Sequence, residues 1–405
     1  MLKIRSHHLS ARSLVALGLA LAVASTPVSA HAQVLAADRV DGRSASELGI
    51  PKAAMPDVRM AAGALVTEDG RVLWSRSVSD RRAIASITKL MTAVVALENG
   101  EPDDPVTVTT ASKSVGESTS FLRVGEQLPM SEVLEASLVK SGNDAAVALA
   151  IHVAGSEDAF VDLMNAKARE LGLSRTRFAN PHGLDETGHY STAADVAVLA
   201  RYAMSKPDIR RVVAQKTATI GRGSRSEQVV NTNLLIGNYT GANGVKTGWT
   251  SKAGYCVVDS AKRGEIELYA IVLGTTSETQ RFRDAVELLD FGFAHYRPQR
   301  VSTKDTIVAE APVRDYLDRL VPVAMSADST VAVFDVAGTI TRKVTVSAVD
   351  APVSKGQKIG VATFTQADRV IASVPLVAAE EVRKPSVPAR VFIAAARAWR
   401  WLTGG

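Results

Sequence analysis

The hydrophobic positions along this chain change rhythm several times, and each change predicts an element. In "AGALVTEDGRVLWSRSV", residues 62–78, apolar runs flank Asp69-Gly70, the pattern of two strands joined by a tight turn. Leu90, Met91, Val94, Val95 and Leu97 recur at helical spacing and predict a helix carrying Lys89. Residues 131–154 and 157–171 place apolar side chains three and four apart, which predicts helices there too. Thr192 and Asp195 form a capping-box signature ahead of a further helical segment. "GYCVVDSAKR" and "IELYAIVLG" read as strands, and residues 278–292 as a helix. Strands and helices in this order predict an α+β fold, a sheet with helices grouped around it.

After "FAHYRPQR" the pattern shortens. "KVTVSAV", "IGVATF" and "VIASVPLVA" are brief β-type runs separated by turn-rich segments, which predicts a small all-β domain over residues 297–382. The last stretch, residues 383–405, ends in "PARVFIAAARAWRWLTGG". As a helix it gathers Val391, Phe392, Ala395, Trp399 and Leu402 on one side, and Arg390, Arg397 and Arg400 on the other. Ile393 and Trp401 spoil the separation. Such a helix suits a membrane interface, with arginines on anionic headgroups and indoles at the boundary. Docking on the protein's own surface is the alternative. The segment is too short and too charged to span a bilayer.

The other end has a different texture. Lys3, Arg5 and Arg12 precede an apolar core from Leu14 to Ala24, and Val28-Ser29-Ala30 or Ala30-His31-Ala32 offers a small-residue cleavage site. Residues 1–32 therefore read as a secretory signal peptide, which leaves residues 33–296 for the first domain. Its removal takes the formal net charge from +5 to about +2, a balance that gives no support for nucleic-acid binding. The full chain has 405 residues, 46% hydrophobic and 22% charged, ordinary for a globular protein of two domains. Cys256 is the single cysteine, so no internal disulfide is available, and its apolar setting predicts a buried structural thiol.

Candidate chemistry lies in three short motifs. In Ser86-Ile87-Thr88-Lys89 the serine and lysine stand one helical turn apart, so the amine can take the hydroxyl proton if its pKa is lowered. By itself the pair is also an ordinary helix start. In Ser141-Gly142-Asn143 a second hydroxyl could relay a proton and an amide could orient the lysine, and an Asx-type turn reads equally well. In Lys246-Thr247-Gly248 a cation and a hydroxyl could meet a substrate carboxylate, with a glycine allowing close backbone approach. S-x-x-K, S-D-N and K-T-G in this order mark class A β-lactamases and penicillin-binding proteins, and here the order is kept with glycine replacing the middle aspartate.

On these motifs, together with "FANPHGLDETGHYSTAADVAVLA", "NTNLL" and "LLDFGF", the chain resembles the low-molecular-mass penicillin-binding proteins, serine-type D-alanyl-D-alanine carboxypeptidases. The resemblance implies a β-lactamase/transpeptidase-like catalytic domain built on an antiparallel sheet, then the all-β domain and a membrane-anchor helix. It implies Ser86 as the acylated nucleophile, Lys89 as its base, Ser141 as proton relay, and Asn143 as the group positioning Lys89 and the peptide. Lys246, Thr247 and Arg281 would bind the terminal carboxylate. Gly248 would let the backbone close on the substrate, and the N–H groups of Ser86 and Trp249 would form the oxyanion hole. The implied substrate is a peptidoglycan stem pentapeptide, with β-lactams as acylating inhibitors. The implied location is the periplasmic face of the bacterial cytoplasmic membrane. No cofactor or metal is implied.

Competing readings remain open at this point. A D,D-endopeptidase would use the same machinery. A serine β-lactamase needs a water-activating glutamate, and Glu186 lacks the asparagine four residues on, where Tyr190 stands. A cell-wall-binding scaffold would not need the intact triple. His182, Asp185 and His189 could be a triad fragment or zinc ligands, but their spacing fits no strong metal pattern, and the resemblance gives this loop a structural role.

Overall fold

The structure is a computed structural model and describes residues 38–221 and 225–403. The expected signal peptide over 1–32 lies outside them. The main sheet is built from β1 (Asp38–Val40), β2 (Arg43–Ser44), β3 (Ala62–Thr67), β4 (Val72–Arg76), β5 (Ala242–Thr250), β6 (Gly254–Arg263) and β7 (Ile266–Thr275). Its seven strands run in the order β2-β1-β4-β3-β7-β6-β5, antiparallel throughout. The β3–β4 hairpin turns at Asp69-Gly70, and β6 and β7 coincide closely with the two predicted strands.

Alternate residues of β7 face opposite cores. Tyr269, Ile271 and Leu273 join the cluster under the helical half of the molecule, while Leu268, Ala270 and Val272 join the cluster under the helix Glu278–His295. Burial on both faces explains why "LYAIVL" reads as continuously apolar. The helical half holds α1 (Lys89–Asn99), α2 (Met130–Leu138), α3 (Asn143–Ala154), α4 (Glu157–Glu170) and α5 (Ala193–Met204), and α6 (Glu278–His295) covers the other face. The first eight residues of α3 are all buried, which fits a central helix apolar on every side.

Two expectations for the helical half need correction. Residues 131–154 form two helices, interrupted at Val139–Gly142 where Ser141 takes φ +67°. Periodicity could not see this break, because the apolar spacing resumes in phase after it. At α5 the Thr192 hydroxyl caps Asp195 N–H as predicted, but the Asp195 carboxylate does not complete a capping box. It accepts instead from Arg175 N–H and the Thr176 hydroxyl, and so ties down the preceding loop.

Beyond α6 the described residues up to Ala378 are strands and turns with one short 3-10 helix, Asp335–Ala337. A five-stranded antiparallel sheet and the pair Tyr296–Ser302 with Ser329–Phe334 enclose a separate apolar cluster. Phe334 leaves that cluster and packs edge-on against Phe291 of α6, with ring centroids 5.9 Å apart. The final helix, α7 (Val387–Thr403), corrects the arginine assignment. Arg400 makes two hydrogen bonds to Asp318, at 3.2 and 3.0 Å, and Arg397 donates to the carbonyls of Arg314 and Tyr316. Ile393 is buried beside them. The arginine side faces the protein because it finds a carboxylate and carbonyls there, and Val387, Val391, Phe392, Trp399 and Leu402 are left 67–71% exposed. Among the described residues no helix is long and apolar enough to cross a membrane.

One buried acid stands out in the sheet. Asp259 on β6 accepts from Asn233 Nδ2 at 2.5 Å, and its other oxygen has no partner. Burial pushes its pKa up to about 7, against the hydrogen bond from Asn233 and the charge of Arg281. Between the ordinary value of 3.8 and about 7, the unfolded chain releases a proton that the folded chain keeps. Stability therefore falls as pH rises through that window. An Asp259→Asn variant should gain more in Tm over the wild type at pH 8 than at pH 5. Equal differences at the two pH values would contradict a buried titrating carboxyl.

Candidate active site

Ser86 sits in a single 3-10 turn, Ala85–Thr88, that leads directly into α1, so Lys89 follows one turn later on the same face. Lys89 Nζ lies 2.8 Å from Ser86 Oγ. The turn is entered through Ala85 at φ +49°, an uncommon value for a residue with a side chain. Its carbonyl is held by two neighbours. The Thr88 hydroxyl donates to Ala85 O at 2.8 Å, and Gly183 packs so closely that a Cβ there would fall 2.0 Å from the same oxygen. Gly183 also has φ +93°, so glycine is required on both counts.

The loop "HGLDETGH" supplies this support. His189 Nδ1 accepts from Ala179 N–H at 3.1 Å, which leaves Nε2–H to donate to Thr88 Oγ1 at 2.8 Å. Burial holds the His189 pKa at about 4 and that of His182 at about 3, so both rings are neutral at ordinary pH. Asp185 accepts from the Thr250 hydroxyl at 2.7 Å and Lys252 N–H at 3.0 Å, tying the loop to the β5–β6 turn. Among the described residues no group of three or more His, Cys, Asp or Glu is placed to hold a metal.

Lys89 is fully buried, and each of its neighbours comes from a different part of the chain. Nζ donates to Asn143 Oδ1 at 2.7 Å and His182 O at 2.8 Å, and Ser86 Oγ is its third partner. Burial lowers its pKa to about 7, while the charges of Asp144 and Glu117 hold it from falling further. A neutral amine has two N–H groups. Two carbonyl oxygens take them, and the lone pair is left for the Ser86 hydroxyl.

Ser141 pairs with the other lysine. Lys246 Nζ donates to Ser141 Oγ at 2.8 Å and Thr247 O at 3.0 Å, and burial with the charges of Lys89 and Arg281 pushes its pKa well down. Lys246 is buried, and its amine is engaged by Ser141 and the Thr247 carbonyl. The positive φ of Ser141 turns its hydroxyl to that amine and starts α3 at Asn143, whose Nδ2 donates to Gly116 O. The glycine between them is explained by space, since a Cβ on Gly142 would fall 1.8 Å from Ser120 Oγ.

β5 forms the opposite wall. A Cβ on Gly248 would lie 2.9 Å from Ser86 N and 3.0 Å from Ala85 Cβ, so the strand can close on the serine only as glycine. Together these elements enclose a cleft of about 550 Å³, lined by Ser86, Ser141, Asn143, Thr247, Trp249 and Arg281 among others. Trp249 is half exposed at its lip, 5.9 Å from Tyr255. Arg281 is buried, donates to Gly248 O at 3.3 Å and Glu278 at 2.6 Å, and keeps its Nε without a partner.

Sequence reasoning missed Thr232. Its hydroxyl lies 2.6 Å from that of Thr247 and lines the cleft. The two asparagines around it fasten the corner: Asn231 donates to Val213 O and Gln215 O, and Asn233 to Gly244 O and Asp259. Two amide side chains bracketing a threonine in "NTNLL" were the available signal. Glu117, Ser118 and Glu278, which also line the cleft, carry no motif at all.

A serine beside a buried lysine, a second serine–lysine pair and a glycine-backed strand on one antiparallel sheet form the arrangement of an active-site-serine acyl-transfer fold. Residues 51–277 match the family model described as D-alanyl-D-alanine carboxypeptidase, and residues 296–384 match the penicillin-binding protein 5 C-terminal domain. The chain belongs to that carboxypeptidase family, among the low-molecular-mass penicillin-binding proteins. It is 33% identical over 356 residues to the D-alanyl-D-alanine carboxypeptidase DacF of Bacillus subtilis, covering 85% of this chain and 89% of that one. It is 36% identical over 248 residues to a D-alanyl-D-alanine endopeptidase of Pseudomonas aeruginosa, covering 59% and 79%. The solved D-alanyl-D-alanine carboxypeptidase DacD of Francisella tularensis superposes with a TM-score of 0.62 at 26% identity, over 81% of this chain and 95% of that one.

The electrostatics of Lys89 set a pH profile. Only its neutral form can accept a proton, so the acylation rate should rise with pH through about 7 and then level off. Glu117 is exposed and raises the Lys89 pKa, so Glu117→Gln should move the midpoint of the acylation profile to lower pH. A midpoint that stays put or moves upward would contradict this charge coupling. Gly183→Ala should slow acylation at least tenfold through displacement of the Ala85–Ser86 turn, measured as the rate of labelling by a fluorescent penicillin.

Proposed function

We propose that this serine-type carboxypeptidase removes the terminal D-alanine of peptidoglycan stem pentapeptides through an acyl-enzyme on Ser86, and that β-lactams trap the same serine. The observation that carries the reading is the hydrogen-bond count at Lys89: two acceptors for two N–H groups, with the serine hydroxyl facing the remaining lone pair. Lys89 takes the Ser86 proton as Oγ attacks the carbonyl of the penultimate residue. The N–H groups of Ser86 and Trp249 stabilise the developing oxyanion, and the closeness of Gly248 to Ser86 N supports that pairing. Ser141, held by Lys246, passes a proton to the leaving amine.

The terminal carboxylate lies against Thr247, with Thr232 beside it, and Arg281 supplies the positive charge. The unpartnered Nε of a buried arginine at the cleft supports this assignment, because an uncompensated buried donor is costly without a ligand. Water then releases the acyl group. Glu186 accepts from Asn180 Nδ2 at 2.9 Å and is absent from the cleft lining, so a trapped penicillin leaves slowly and the β-lactamase reading loses its base.

The mature chain works at the periplasmic face of the cytoplasmic membrane, after removal of the signal peptide, with α7 as its anchor. The support is the exposed apolar side of α7, which carries two valines, a phenylalanine, a tryptophan and a leucine.

Incubation with labelled penicillin, and separately with a pentapeptide ending in D-Ala–D-Ala, tests the chemistry. Wild type should take up label and release D-alanine, and Ser86→Ala should do neither. Label on the variant would overturn the mechanism. Truncation after Val382 should leave the activity in place and move the protein from membrane to soluble fractions, and continued membrane retention would refute the anchor.

A further inference from the structure

Two buried arginines hold carboxylates in different ways. Arg76 uses every side of its guanidinium: Nε and Nη2 donate to the two oxygens of Asp38 at 2.6 and 2.9 Å, and Nη1 donates to Val58 O and Met60 O. Arg281 is only partly used. Its Nη2 donates to one oxygen of Glu278 at 2.6 Å, Nη1 reaches Gly248 O at 3.3 Å, and Nε has no partner. A guanidinium holds a carboxylate best through two parallel N–H groups. Arg76 shows that fork completed. At Arg281 one prong is empty, and the neighbouring prong is taken by a residue of the protein itself.

The two partners at Arg281 differ in freedom. The arginine side chain is 5% exposed and packs on the rings of Tyr255 and Phe282, 5.6 and 4.8 Å from their centroids. Glu278 is the first residue of α6, one turn before Arg281, and its side chain is 60% exposed. The arginine is therefore fixed, while the glutamate can turn into water and return without leaving its helix. Burial pulls the Arg281 pKa down, and Glu278 is foremost among the acids that hold it up, ahead of Asp259. Of these two acids Glu278 alone lines the catalytic cleft, together with Thr232 and Thr247.

We propose that Glu278 is a specificity-determining residue, an internal carboxylate that competes with the terminal carboxylate of the substrate for Arg281. The inference rests on the carboxypeptidase reading, in which that carboxylate comes to Thr247 and needs the charge of Arg281. A substrate that takes both Nε and Nη2, as Asp38 does on Arg76, replaces the single contact of Glu278 with two. A ligand without a carboxylate has no such exchange to offer and meets an arginine already neutralised. Once the C–N bond is broken, the departing D-alanine is no longer tethered to Ser86, and the returning glutamate displaces its carboxylate. Glu278 thus weakens binding and hastens release, so the product clears the cleft before water attacks the acyl group.

The test compares the wild-type chain with Glu278→Gln, which removes the charge, and Glu278→Asp, which keeps it. The readouts are kcat and KM for the pentapeptide, inhibition by free D-alanine, and the second-order rate of labelling by a penicillin, which also carries a carboxylate. Glu278→Gln should lower KM about threefold or more without raising kcat, with gains that shrink at high salt because an exposed charge is screened. Inhibition by D-alanine should tighten and penicillin labelling quicken by similar factors. Glu278→Asp should stay closer to wild type than Glu278→Gln in every readout. A KM that stays put or rises in Glu278→Gln overturns the competition and makes Glu278 a clamp that positions Arg281. Loss of kcat and labelling together, with no tightening of D-alanine inhibition, overturns it too. A wild type that takes up penicillin but releases no D-alanine overturns the carboxypeptidase reading instead, and the labelling rates then decide the competition.

Discussion

The structure is organised around one amine without water. Lys89 begins α1 inside the protein, and its Nζ is satisfied by an amide oxygen from the start of α3, a carbonyl from the "HGLDETGH" loop and the hydroxyl of Ser86. A buried ammonium carries a desolvation cost of several kcal/mol, so the site favours the neutral amine that a serine nucleophile needs. Three chain segments, 54 and 93 residues away from Lys89 in two of the cases, must converge for that to happen. Loss of any one leaves a buried polar atom unpaired. The charge state of the lysine and the packing of the helical half thus depend on each other.

The close approach of backbone to backbone is the second constraint. Gly248 on β5, Gly183 on the loop and Gly142 before α3 each sit where a methyl group would overlap a neighbouring atom. Gly248 and Gly183 bring the strand and the loop against the turn Ala85–Thr88 from two directions, and Gly142 brings the helix start against Ser120. The positive φ values of Ala85 and Ser141 are held in place by this packing and by the hydrogen bonds from Thr88 and Lys246. His189 contributes from behind, as a neutral donor to Thr88. A site built this way has little freedom to relax, which suits donors aimed at a charge that exists only during the reaction.

The C-terminal part is joined to the rest by packing as well as by the chain. Phe334 sits against Phe291 and Tyr296, and Arg71 lies over the Phe334 ring at 5.8 Å. At the far end α7 is fastened through Arg397, Arg400 and Ile393, with its apolar side turned outward. An amphipathic helix held by its polar side offers the opposite face to whatever is apolar outside. The ion pair to Asp318 is exposed on both partners and screened by water, so Ile393 and the backbone acceptors carry much of the docking.

The sequence alone determined what depends on local spacing. The β3–β4 hairpin, β6, β7 and α6 were legible because two-fold and helical periodicities survive in a linear string. Ser86 and Lys89 were legible as neighbours for the same reason, and the three motifs as a set because their order is kept. The break at Val139–Gly142 was hidden in a phase-matched pattern. The partners of Lys246, the arginine side of α7 and the place of Thr232 were hidden because each is defined by atoms far apart in the chain. A sequence records which groups exist and how they repeat, while the partner that satisfies each donor, and so its charge state, is settled only when distant segments exclude water together.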